Sequence, residues 1–181
     1  MKKLLLFSIL LLTTLAVCAY ETIIIHFPDG ELWEAAYYRK IGNEAILQYV
    51  PGGQTSNNWT RTIVVHSYNE SDMTIPWFAQ REIRKMRKIN PKGRYHTIKS
   101  NENDAIFTRC TEEFEKQQPH CEFLRLTRAH GGAVSIQYMN RNKKDFENNY
   151  TLWLEVIRGA KLMNSFYRTE RTFDKSMQYE L

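Results

Sequence analysis

The chain has 181 residues and a formal net charge of +5 at neutral pH. That surplus is too mild for the basic footprint of a dedicated nucleic-acid binder. The length suits one domain with a real hydrophobic core.

The chain opens with "MKKLLLFSILLLTTLAVCAY". Lys2 and Lys3 form a positive start, Leu4 to Val17 is an apolar run, and Val17-Cys18-Ala19 offers a small-residue cleavage site. The run is shorter than the roughly 20 residues that a membrane-spanning helix needs. It reads as a secretory signal peptide over residues 1–19, with the mature chain starting at Tyr20. "LAVC" also resembles a bacterial lipobox, which would lipidate Cys18, but Val17 stands where Gly, Ala or Ser is usual. The expected location is the periplasm or the exterior, with a lipoprotein anchored through Cys18 as the lesser alternative. No later apolar run is long enough to span a membrane as a helix.

After the "FPDG" turn, "ELWEAAYYRKIG" and "EAILQYVP" read as strands, the second stopped by Pro51. "YVPGGQTSNNWTRTIVV" then poses a choice. A phosphate-binding loop needs a closing Gly-Lys-Ser/Thr and a following helix. Here Gly52-Gly53 precede Gln54 and a β-branched run, so the glycines serve a turn between strands. "NWTRTIVVHSY" is the third strand, with Trp59 expected in the core. Asn58, Asn69 and Asn149 head glycosylation sequons, but the short basic leader looks bacterial, and they are read as unmodified.

"MTIPWFAQREIRKMRKIN" reads as a helix over about 74–89. Asp72 or Thr74 is its cap, Pro76 sits in its first turn, and Ile75, Ala79, Ile83 and Met86 form its buried stripe. Arg81, Arg84, Lys85 and Lys88 fall on the opposite face, with Arg87 nearby. This is the candidate binding face, suited to an anionic surface or an acidic protein; the plain alternative is a solvated helix face.

"GRYHTIKS" and "DAIFTRCTE" read as one hairpin, and "HCEFLRLTRAH" and "AVSIQYMNR" as another. Cys110 ends one strand and Cys121 begins the next. With Cys18 removed or lipidated, these two are an even pair in an oxidising compartment, so a disulfide is expected. A metal site built with His120 and His96 is the weaker reading, because the zinc-ligand spacings are missing. "KDFENNYTLWLEVIRGAKLMN" reads as a second helix over about 145–163, capped by Asp145, with Phe146, Tyr150, Trp153, Ile157 and Ala160 on its apolar face. "SFYRTERTFDKSMQYEL" is a short edge strand or a loose tail.

No catalytic residues, metal ligands or cofactor site can be named. There is no Gly-x-Ser-x-Gly elbow, both remaining cysteines are taken as oxidised, and adjacent His66 and Ser67 point to opposite faces of a strand. The segments "YVPGGQTSNNWTRTIVVHSY", "CEFLRLTRAHGGAVSIQY" and "LWLEVIRGAK" resemble a group of small exported proteobacterial proteins of unknown function. In that group an extended segment with Pro-x-Gly-x-Thr leads into Asn-Trp-Thr and a strand. The resemblance implies a Gram-negative periplasmic location and an α+β fold, and it brings no catalytic residues. The order of strands, helix, strands, helix is similar to the PsbP-like α/β/α sandwich, an analogy of fold that does not transfer function. The expected architecture is a single α+β domain over 20–181, a largely antiparallel sheet with two packed helices. The expected role is a non-catalytic periplasmic module binding a protein or the envelope surface; the alternative is a small hydrolase-like enzyme whose site is assembled from loops.

Overall fold

Apolar residues alternate with polar ones along most of the strand-like runs, and such runs pair into a sheet with two faces to cover. The computed structural model describes residues 21–164 apart from 29, 71, 94 and 115–117. The leader, Cys18, Tyr20 and the segment 165–181 lie outside the described residues. In chain order the elements are β1 (Glu21–Ile24), β2 (Trp33–Ile41), β3 (Glu44–Pro51), β4 (Arg61–Tyr68), α1 (Ile75–Ile89), β5 (His96–Ser100), β6 (Asp104–Thr111), β7 (His120–Ala129), β8 (Gly132–Asn140), α2 (Lys143–Asn148), α3 (Tyr150–Gly159) and β9 (Lys161–Asn164).

Seven strands form one sheet in the order β2-β3-β4-β8-β7-β6-β5, antiparallel at every step. The chain builds one half by successive hairpins from β2 to β4 and the other from β5 to β8, and β4 pairs with β8 to join them. Short turns keep the pairing local. Asn101 shows how, its side-chain oxygen accepting from the backbone N–H groups of Asn103 (2.9 Å) and Asp104 (2.8 Å) at the β5–β6 turn. Both edge strands carry a bulge, β2 between Ala35 and Tyr37 and β5 between Thr97 and Lys99. A bulge and a charged residue at a sheet edge hinder edge-to-edge pairing with another chain.

Each face of the sheet is covered by helix. On one side Trp33, Leu47, Ile63, Ile136 and Tyr138 pack against Phe146 of α2 and Trp153, Leu154 and Ile157 of α3. Trp153 stacks on Tyr138 with ring centroids 4.0 Å apart and meets Trp33 edge-on at 5.6 Å. Truncating so buried an aromatic typically costs about 3–5 kcal/mol. On the other side Tyr68, Phe107, Leu124 and Leu126 receive Ile75, Phe78 and Ala79 of α1. The helix–sheet–helix layering expected of an α+β sandwich is therefore present.

α1 begins where the sequence predicts. The Thr74 side chain accepts from the N–H of Trp77, and Pro76 lies in the first turn. Of its expected stripe Ile75 and Ala79 are buried, Phe78 joins them fully buried, and Ile83 and Met86 are half-buried at the margin. The second helix differs from the continuous helix expected over 145–163. Asn142, not Asp145, is its cap, accepting from the Asp145 N–H at 3.0 Å. The helix then breaks at Asn149, whose backbone leaves helical geometry (φ −107°, ψ 16°), and residues 161–164 are a strand. The apolar face survives the break, since Phe146, Trp153, Ile157 and Ala160 are all buried.

β9 pairs antiparallel with β1 as a separate two-stranded sheet. Neither strand was expected from the sequence, because each is four residues long and the partners are separated by almost the whole domain. The "VPGGQ" stretch is a turn: Gly53 takes φ +77°, and the Gly52 N–H donates to the Leu32 carbonyl at 2.7 Å. Gln54 and Thr60 then tie the loop ends together, with the Thr60 N–H donating to Gln54 Oε1 at 2.7 Å. Trp59 corrects another expectation. It precedes β4 and is half-buried outside the two cores, because the Arg141 guanidinium lies 3.9 Å over its ring and donates to its carbonyl at 2.9 Å.

Candidate functional site

α1 lies across β6 and β7, so half its circumference faces away from the sheet. At about 100° per residue, Arg84, Arg87 and Lys88 fall on the arc opposite Ile75, Phe78 and Ala79, while Lys85, seven residues after Phe78, lies on the flank beside it with its Nζ 6.0 Å from the Tyr68 ring centre. All four are exposed. Lys85 pairs with Glu82 at 3.0 Å, while Arg84, Arg87 and Lys88 form no ion pair with another described residue. Arg87 and Lys88 occupy the last turn, where a cation also complements the helix dipole.

Arg81 does not belong with this face. Its guanidinium lies over the rings of Tyr68 (4.6 Å), Phe78 (4.7 Å) and Trp77 (5.0 Å) and reaches Glu70 at 3.3 Å. It is an anchor between α1 and the end of β4. Periodicity alone placed it with the other cations, because the wheel position does not reveal a long side chain folding back onto aromatic neighbours.

Cys110 and Cys121 are bonded as a disulfide. The two residues stand directly opposite each other across β6 and β7, with Cα atoms 3.9 Å apart. That is shorter than the usual 4.4–6.8 Å span, and closer than the roughly 4.5 Å of directly opposed strand residues. Neither thiol is left for nucleophilic or metal chemistry. Among the described residues no three His, Cys, Asp or Glu side chains converge to hold a metal ion.

Sequence reasoning missed the polar cluster that lies on the α1 face of the sheet near this bond. Glu122 and Arg109 are directly opposite in register and almost wholly buried, with 0% and 1% of their side chains exposed. Arg109 Nε donates to Glu122 Oε1, which also accepts from the Tyr95 hydroxyl at 2.5 Å; Gln137 Nε2 donates to Oε2. His120 Nε2 lies 3.7 Å from Oε2, while its Nδ1 faces the Gln118 carbonyl at 3.1 Å. The Arg109 guanidinium also lies over the Tyr95 ring at 4.6 Å. The chain at Gly93 closes this pocket: a Cβ there would stand 2.9 Å from Arg109 Nη1, so the position has no room for a larger residue.

Burial by itself would raise the Glu122 pKa, but the His120 contact, the Arg109 charge and the Tyr95 hydrogen bond outweigh it and hold the group below its ordinary value. An ionised carboxylate that already accepts three hydrogen bonds and has no solvent contact is a poor general acid or base. Across the same face, His66 Nε2 meets Glu44 at 3.0 Å, and burial keeps its pKa lowered despite that carboxylate. His66 thus pairs across strands, and Ser67 faces the other way toward the Ala45 carbonyl. A charged residue inside an otherwise apolar strand, Glu122 in "CEFLRL" and Arg109 in "IFTRC", is the trace such a pair leaves in a sequence.

The structure therefore leaves Arg84, Arg87 and Lys88 on one open face with Lys85 on its flank, removes Arg81 from it, and holds the buried carboxylate beneath in three hydrogen bonds. No helix among the described residues is long and apolar enough to cross a membrane. No curated protein matches the chain. A family model describing an uncharacterised family, named after a Haemophilus protein, matches residues 25–170, which take in the seven-stranded sheet, all three helices and the disulfide; the chain belongs to that family.

Proposed function

We propose that the protein is an exported, non-catalytic module that docks on a protein or on the cell-envelope surface through the outer face of α1. The observation carrying this reading is the exposed set Arg84, Lys85, Arg87 and Lys88, of which Lys85 alone has an acidic partner among the described residues. Two features support a binding role over an enzyme whose site is assembled from loops. The cysteines are joined to each other, and Glu122 is buried and accepts from Arg109, Tyr95 and Gln137. Export rests on the leader, with Cys18 lipidation as the lesser route.

Fractionating cells that express the full-length chain, then reading the intact mass of the processed protein, tests the export half. Retention of residues 1–17 would remove both processing routes. Recovering the tagged protein from its native envelope, with and without charge reversal at Arg84, Arg87 and Lys88, tests the docking half; an unchanged set of partners would exclude the α1 face.

A further inference from the structure

We infer that the α1 face is a seat for anionic phospholipid headgroups, an inference that rests on the docking role proposed for α1 and names its partner. Shape and charge together point there. α1 is an outer layer of the fold, so its free face is convex, and a convex row of cations engages a planar array of phosphates without needing a matching concave partner. Arg84, Arg87 and Lys88 are free of acidic neighbours among the described residues, and the one acid of the helix, Glu82, is turned inward, with 14% of its side chain exposed, where it meets Arg81 and Lys85. An acid-free outer face favours an anionic surface and offers no counter-charge for a mixed-charge protein interface.

The C-terminal end of α1 adds a second feature. Ile89 is 44% exposed beside Lys88, and exposed Pro91 and Lys92 follow. Ile89 itself lies on the sheet side of the helix, eleven residues after Phe78, so the second feature is Lys92, a further exposed cation just beyond the last turn. This tip is held in place rather than left to fold on contact: Asn90 is fully buried, donates to the Glu112 carbonyl at 3.1 Å and accepts from the Gly93 N–H at 3.1 Å.

The test is co-sedimentation of the processed, disulfide-intact protein with vesicles of phosphatidylcholine alone and of phosphatidylcholine mixed with phosphatidylglycerol. Binding is expected only to the anionic vesicles, weakening as salt shortens the screening length. Each cation removed should lower partitioning roughly fivefold. The variant R84E/R87E/K88E should therefore lose binding altogether. These positions are exposed, and a single cooperative thermal unfolding transition in each variant checks that the fold is intact. Equal binding to both vesicle types, or none to either, overturns the lipid assignment. If the vesicles are ignored while the same charge reversal removes a protein captured from the envelope, the lipid partner falls and the docking face stands. If charge reversal changes neither readout, both fall.

Discussion

Arg109 and Glu122 face each other across β6 and β7 as an ion pair with almost no solvent contact. Such a pair is costly to form, because two charges leave water, and more costly to break, because removing one partner strands the other. Glu122→Leu or Arg109→Met alone should lower unfolding free energy by about 3–5 kcal/mol. Replacing both together should cost less than the sum. Denaturant unfolding of the two single variants and the double variant measures the difference; additive losses would mean that the two charges do not depend on each other.

Acid should expose the same cluster. The folded-state pKa of Glu122 is depressed by its partners. That of Asp104 is depressed too: burial pushes it up, but the hydrogen bonds from Lys99 and Arg125 pull it further down. A depressed carboxylate stabilises the fold fully above its unfolded value, and the gain is lost as pH falls from about 4.5 for Glu122 and 3.8 for Asp104. His66 acts earlier with the same sign. Burial keeps its ring neutral, so the unfolded chain takes up the proton first and stability begins to fall below about 6.5. Unfolding midpoints across pH should show two declines, and His66→Gln should erase the upper one alone.

Above pH 10 the sign reverses. Burial holds the phenols of Tyr68 and Tyr95 well above their ordinary value. The unfolded chain then loses these protons first, and stability falls as pH rises beyond about 10. Tyr95→Phe should flatten this limb while weakening the fold at neutral pH through the lost bond to Glu122. A spectrophotometric tyrosine titration alongside unfolding checks both; ordinary titration of every tyrosine would contradict it.

The disulfide closes a loop with a sequence separation of 11 residues. The chain-entropy model assigns such a bond roughly 3 kcal/mol. Replacing Cys110 and Cys121 with Ser should lower the unfolding midpoint and leave binding intact at low temperature. Thiol labelling of unfolded, unreduced protein should find neither residue reactive.

Arg125 is the fastener of α3. Its Nη1 donates to the carbonyls of Ile157 (2.9 Å), Arg158 (3.0 Å) and Ala160 (2.8 Å), while its Nε donates to Asp104 at 2.9 Å. Hydrogen bonds to a charged group contribute about 1.5–3 kcal/mol each when buried. Arg125→Met should destabilise the domain by at least about 2 kcal/mol and speed hydrogen exchange most at the end of α3. Uniform acceleration across the sheet would argue against a local fastening role.

The sequence by itself determined the strands of the large sheet, the start of α1 and the cysteine pairing. These rest on near-neighbour information: alternation along a strand, Thr74 and Pro76 at a helix start, and two cysteines flanking one connection. It also marked the basic arc of α1, since helical spacing settles which side chains share a face. The tertiary structure decided the rest. The end of α3 and the strand β9 depend on partners that sequence spacing cannot supply, Arg125 under the last turn and β1 at the start of the domain. Arg81 left the basic face because three aromatic rings and Glu70 offered its guanidinium more than solvent did. Glu122 and Arg109 became a buried pair because β6 and β7 align in a register that only the folded sheet defines.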